Sequence, residues 1–202
     1  RPQAELAEML CSRTGAKKVF FSNSGAEANE CAIKAARKYS FDKYGEGRFR
    51  IVTLKNSFHG RTMATLSATG QEAMHRSFAP MLDGFDYAEP TFESVRAKCT
   101  KATCAVMLEL VQGEGGVRPL PVEEVQKIEK FCKKNDILLI IDEVQTGNGR
   151  TGTLYAYEQF GISPDIVSTA KGLAGGLPLG ATMFFEKTEK VFAAGDHGST
   201  FG

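Results

Sequence analysis

The feature that most constrains this chain is an unbroken apolar run, Ile137-Leu138-Leu139-Ile140-Ile141, that stops at Asp142-Glu143. Five apolar residues, three of them β-branched, after a polar helix-like segment read as a strand buried on both faces. Such a strand needs helices above and below it, which commits the chain to an α/β layout. Gly147, Gly149 and Gly152 then mark irregular backbone. A second strand-like run, Asp165-Ile166-Val167-Ser168-Thr169, ends at Ala170-Lys171-Gly172. An acid and a lysine therefore each stand where a buried strand runs out. In open α/β sheets ligands bind along that edge. Both residues also have plain structural readings. Asp142 suits a helix N-cap or the acid of a Walker B strand, and Lys171 suits a solvated loop.

The rest of the chain repeats the alternation. Residues 3–14 have helical spacing, with Gly15 as C-cap. Residues 18–21 read as a strand, and the polar turn from Ser22 to Glu30 opens a helix carrying Ala28, Ala32, Ala35 and Tyr39. Small residues at such a turn let backbone N–H groups approach a phosphate. A simple Ser or Asn N-cap accounts for the same residues. Strands follow at 49–54, at 103–110 (ending around Glu109) and at 180–185; helices follow at 91–101 and from Pro121 to Asn135, and residues 70–90 read largely as loop. The pattern predicts a mostly parallel doubly wound sheet sandwiched by helices.

Composition excludes several classes. Lys+Arg number 25 and Asp+Glu 24, which gives no electrostatic case for nucleic acid or an anionic membrane. No apolar run approaches membrane-spanning length, and the N-terminus has no signal-peptide pattern. Five cysteines, with no C-x-x-C pair, argue against a disulfide framework or zinc knuckle and point to a reducing cytoplasm. His59, His75 and His197 are scattered, and no metal site is expected. A nucleotide-binding module would explain the Walker B-like strand, but no G-x-x-x-x-G-K-[ST] accompanies it.

The motifs I-I-D-E-V-Q-T-G-N-G-R-T-G, S-P-D-I, A-K-G-L-A-G-G, F-H-G-R-T and H-G-S-T-F-G resemble those of the class III pyridoxal-phosphate (PLP) aminotransferases, the acetylornithine and ornithine group. The likeness runs over essentially all 202 residues. It implies the large domain of an aspartate aminotransferase-like PLP-dependent transferase at residues 1–202. The chain reads as cut at both ends, with an N-terminal segment and a C-terminal small domain expected outside it.

The resemblance implies that Lys171 forms the Schiff base and that Asp142 faces the pyridine nitrogen. A carboxylate there favours the protonated ring, and burial of the lysine would favour the neutral amine. Ser24, Gly25 and Ala26 fall on the phosphate cradle, with backbone replacing the hydroxyl that many relatives carry at Ala26. Phe58 and Val144 fall on the two ring faces, and Gln145 on the phenolic oxygen. Arg61 falls on the α-carboxylate site, where a guanidinium fork suits a carboxylate. Glu109 and Glu114 fall on the substrate side. The family usually has Glu-Pro where this chain has Glu109-Leu110. Thr200 would reach the partner's PLP phosphate across a homodimer with shared active sites, with Ser199 near the substrate. The expected reaction moves the terminal amino group of N-acetylornithine to 2-oxoglutarate, in arginine biosynthesis. Ornithine and 4-aminobutyrate are the alternative donors.

Overall fold

The structure, a computed structural model, describes residues 2–200. Helix α1 (Pro2–Thr14) ends at Gly15, which takes φ +80° and donates its N–H to the Cys11 carbonyl. Strand β1 (Lys18–Ser22) follows, then α2 (Gly25–Tyr44), which has 20 residues. Next come β2 (Arg50–Leu54), α3 (Met63–Ala68), α4 (Glu72–His75), β3 (Phe85–Ala88), α5 (Phe92–Lys98) and β4 (Thr103–Leu108). A small hairpin, β5 (Val111–Gln112) and β6 (Arg118–Pro119), precedes α6 (Val122–Lys134). Strand β7 (Leu138–Asp142), α7 (Tyr157–Phe160), β8 (Ile166–Thr169), a 3₁₀ turn (Lys171–Ala174) and β9 (Gly180–Phe184) complete the order.

Seven strands form one sheet in the order β1-β9-β8-β7-β4-β2-β3. The pairs from β3 through β8 are parallel, whereas β9 runs antiparallel to both β8 and β1. The carboxyl ends of β1, β2, β4, β7 and β8 therefore share one edge.

Both central strands, β4 and β7, are buried at every position, as the apolar run requires. Alternation divides the β7 side chains between two layers. Leu139 and Ile141 join Val125, Ile128 and Cys132 of α6 on one face. Leu138 and Ile140 join Cys31, Ala32, Ala35 and Ala36 of α2 on the other. The small residues on α2 let that helix lie close to the sheet. Each fully buried Leu or Ile contributes about 1.5–3 kcal/mol.

Residues 70–90, expected to be largely loop, also hold α4 and β3, which the sequence pattern does not predict. β3 is a four-residue edge strand with Asp86 and Tyr87 only half-buried. What specifies it is the pairing with β2, where the Arg50 Nε and Nη2 atoms donate to Asp86 at 2.7 and 2.9 Å. Among the described residues no helix is long and apolar enough to cross a membrane.

Candidate active site

A cavity of about 420 Å³ opens at the carboxyl edge of the sheet, within the range of small-molecule sites. Its wall includes Ser24, Gly25 and Ala26 after β1, and Phe58 and Arg61 after β2. Glu109 and Glu114 follow β4; Asp142, Val144 and Gln145 come from β7, and Lys171 from β8. Residues far apart in the chain converge because five parallel strands end together.

The turn at Ser24 is both an N-cap and a cradle. Ser24 has extended backbone, and its hydroxyl accepts the Glu27 N–H at 3.2 Å. The first N–H groups of α2 have no intrahelical acceptor, so they and the helix dipole favour an anion in the cavity. Two close approaches seat the turn. A Cβ on Gly25 would lie 2.6 Å from Val144 Cγ1, and one on Gly180 would lie 2.2 Å from the Ser24 carbonyl oxygen. Gly25 thus lets the anion turn and the Val144 wall meet.

Asp142, 5 % exposed, is the last residue of β7. Its Oδ2 accepts Nδ2–H of Asn29 at 2.8 Å and pairs with Nδ1 of His59 at 2.8 Å. Its Oδ1 accepts the Val144 N–H at 3.0 Å. His59 is wholly enclosed. Burial opposes its charge, but the hydrogen bond to Asp142 and the charges of Asp142 and Glu109 prevail and raise its pKa. The sequence gives His59 no metal-ligand role and gives Asn29 no role at all. The F-H-G-R-T motif marked His59 as a candidate, but nothing local to Asn29 announces its partner.

Glu109 is buried, and its Oε2 accepts the Phe58 N–H at 2.8 Å. Burial, reinforced by the Asp142 charge, pushes its pKa up to about 7, against the opposing pull of His59 and of the Phe58 and Gly113 N–H groups. Glu109 thus anchors the turn that carries Phe58. Arg61 lies with its guanidinium carbon 5.7 Å from the centre of the Phe58 ring, and it is exposed toward the cavity mouth. Gln145 lies over Gly113, where a Cβ would come within 1.3 Å of its Oε1.

Glu143 points away from the cavity and is fully buried. It accepts the Tyr157 N–H at 2.8 Å and the Thr146 hydroxyl, which fixes the loop presenting Val144 and Gln145. Its pKa is raised by burial.

Lys171 opens the 3₁₀ turn with φ +46°, a left-handed conformation uncommon for a residue with a side chain. The strand end just before it is pinned by Asn148, whose Nδ2 donates to Thr169 Oγ1 and to the Ala170 carbonyl, each at 3.0 Å. The expected burial of this lysine is corrected: it is exposed, at the cavity mouth, beside a segment in which Leu177 is also exposed.

Ser199 and Thr200 do not join this cavity. The Ser199 hydroxyl accepts from Asn23 Nδ2 at 3.4 Å, and exposed Thr200 lines a separate 190 Å³ cavity with Phe20, Asn23 and Glu30. Phe201 and Gly202, the end of the last motif, lie outside the described residues.

The donor set suits PLP. Open amides at a helix N-terminus match a phosphate, an acceptor-only carboxylate matches a protonated ring nitrogen, apolar Phe58 and Val144 match ring faces, and Lys171 brings an amine.

Comparison with known proteins agrees. The family described as Aminotransferase class-III matches residues 1–202. The chain is 55% identical over 205 residues to the acetylornithine aminotransferase of Haemophilus ducreyi, covering all of this chain and 52% of that protein. It is 53% identical to the acetylornithine aminotransferase of Caldanaerobacter subterraneus subsp. tengcongensis, covering 99% of this chain and 51% of the relative. Among solved structures, the ornithine aminotransferase of Toxoplasma gondii superposes with a TM-score of 0.93 at 30% identity, covering 98% of this chain and 48% of that one. A Bacillus anthracis aminotransferase gives 0.90 at 32% identity, covering all of this chain and 52% of that one. The chain spans about half the length of the curated relatives it matches. With a lysine and an acid on neighbouring strand ends of one cavity, and a family match from the first residue to the last, the chain belongs to the class III aminotransferases.

Proposed function

We propose that this chain is the cofactor-binding large domain of a longer PLP-dependent enzyme. That enzyme transfers the terminal amino group of N-acetylornithine to 2-oxoglutarate, a step of arginine biosynthesis, and works in the cytoplasm as a homodimer. The observation that carries the reading is the convergence of Lys171, Asp142 and the N-terminus of α2 on one cavity. The naming of the curated relatives as acetylornithine aminotransferases supports the donor.

PLP, when bound, supplies an electron sink that stabilises negative charge on the carbon bearing the amino group. The chain's own residues do the rest. Gly25 and Ala26 would offer main-chain N–H groups to the phosphate, Phe58 and Val144 would confine the ring, and Gln145 would hydrogen-bond its phenolic oxygen. Asp142 holds the ring-nitrogen proton by charge. The Lys171 amine anchors the cofactor and moves a proton at Nζ. Arg61 orients the α-carboxylate that acetylornithine has and 4-aminobutyrate lacks, which favours the former.

The test is borohydride reduction of the full-length protein with PLP, followed by peptide mapping and competition between the two donors. The label is expected on Lys171, and Lys171→Ala is expected to abolish transamination in a folded protein. A label on another lysine, or equal kcat/KM for acetylornithine and 4-aminobutyrate, would overturn the assignment.

A further inference from the structure

We propose that Asn29 is a positioning residue that holds Asp142 in its working orientation; the proposal rests on the PLP reading above. Asn29 lies just inside the N-terminal end of α2, is 1 % exposed, and faces the sheet. Its Nδ2 donates to two acceptors, Asp142 Oδ2 and the His59 carbonyl oxygen, each at 2.8 Å. Those acceptors fix the amide orientation, because the flipped amide would set its oxygen against two oxygens. Its Oδ1 has no hydrogen-bond partner in the structure. The side chain is therefore committed to donating.

The consequence falls on the acid. Asp142 receives donors from Asn29 and His59 on Oδ2 and from the Val144 main chain on Oδ1. Three donors hold the group as an acceptor and fix its orientation. Oδ2 is saturated by its two partners, and Oδ1 keeps an acceptor site for the cavity. Asn29 also ties together three pieces of chain: the helix whose N-terminus faces the cavity, the turn carrying Phe58, and the end of β7. A bond across these pieces holds both the angle of the carboxylate and its distance from the anion cradle. Asn29 lies on the cavity wall, but both of its N–H donors are committed to Asp142 and to the His59 carbonyl, so its effect passes through Asp142.

The experiment measures the affinity of the full-length, cofactor-stripped protein for PLP and for an analogue with the ring nitrogen replaced by C–H. Wild type, Asn29→Leu and Asn29→Ala are compared. Leu is close to Asn in shape but cannot donate, and Ala is well tolerated in this alanine-rich helix should Leu fail to fold. Loss of a hydrogen bond to a charged group predicts that both variants bind PLP about tenfold or more weakly. Affinity for the analogue is expected to stay within about twofold, since a ring without nitrogen does not engage the acid. A residue that merely packs would weaken both ligands equally. Variants that keep the wild-type preference for PLP overturn this proposal alone. A wild-type protein that binds both ligands equally overturns the placing of Asp142 at the ring nitrogen, and the proposal with it; one that binds neither overturns the cofactor reading.

Discussion

Glu109 offers the sharpest test of the site's electrostatics. In the folded protein its pKa is about 7 against an ordinary 4.5, with burial as the main cause. The native state thus holds this proton more tightly than the unfolded chain. Its contribution to stability is full below about 4.5 and is lost as pH rises through about 7. The displacement corresponds to roughly 3 kcal/mol, most of which falls between about pH 5 and pH 8. Glu109→Gln keeps a carbonyl oxygen for the Phe58 N–H and removes the ionisation. Urea unfolding of the cofactor-free full-length protein, variant against wild type, isolates the effect. Shifted groups not coupled to Glu109, such as Glu143 and Asp165 (raised) and Asp136 (lowered), act equally in both proteins and cancel, so the difference reports Glu109 together with His59, whose charge it supports. Wild type should lose roughly 2 to 3 kcal/mol relative to the variant over that range. Parallel pH profiles would show that Glu109 does not titrate there, and that His59 and the main-chain donors keep it ionised.

Two further outcomes are expected. Gly113→Ala places a Cβ where the Gln145 amide now lies, so Gln145 must swing away; PLP affinity should fall about tenfold and its absorption band shift, and an unmoved band would show that Gln145 does not touch the cofactor. Thr200→Ala should weaken PLP binding by roughly 1.5–3 kcal/mol, and mixing its protomers with Lys171→Ala protomers should restore activity through one intact site per heterodimer. No recovery under subunit exchange would mean that Thr200 acts within its own chain or not at all.

The residues that bear chemistry were legible wherever a strand end and a motif coincide. Asp142 ends an apolar run and Lys171 follows a strand-like one, and the first run alone commits the chain to a sheet buried on both faces. Eleven of the thirteen expected site residues line one cavity because the strands that carry them are parallel and end together. The exceptions, Ser199 and Thr200, sit beyond β9, the strand that runs the other way, and they reach the opposite side of the Ser24 turn. Strand β3 was illegible for a different reason. Phe85-Asp86-Tyr87-Ala88 is too short to declare itself, and its identity comes from β2.

The clamp on Asp142 shows where local reading stops. Its side-chain donors lie 113 and 83 positions away, on a helix and on a turn that the sequence links to phosphate and ring contacts. No periodicity connects an asparagine inside a helix to an acid on a strand; only the packing of α2 onto the sheet does. That packing depends in turn on Ala28, Ala32, Ala35 and Ala36, all fully buried. Larger residues there would lift α2 from the sheet and stretch a 2.8 Å bond whose strength falls steeply with distance. The small residues that read as close packing thus also set the distance between an amide and the carboxylate at the centre of the site.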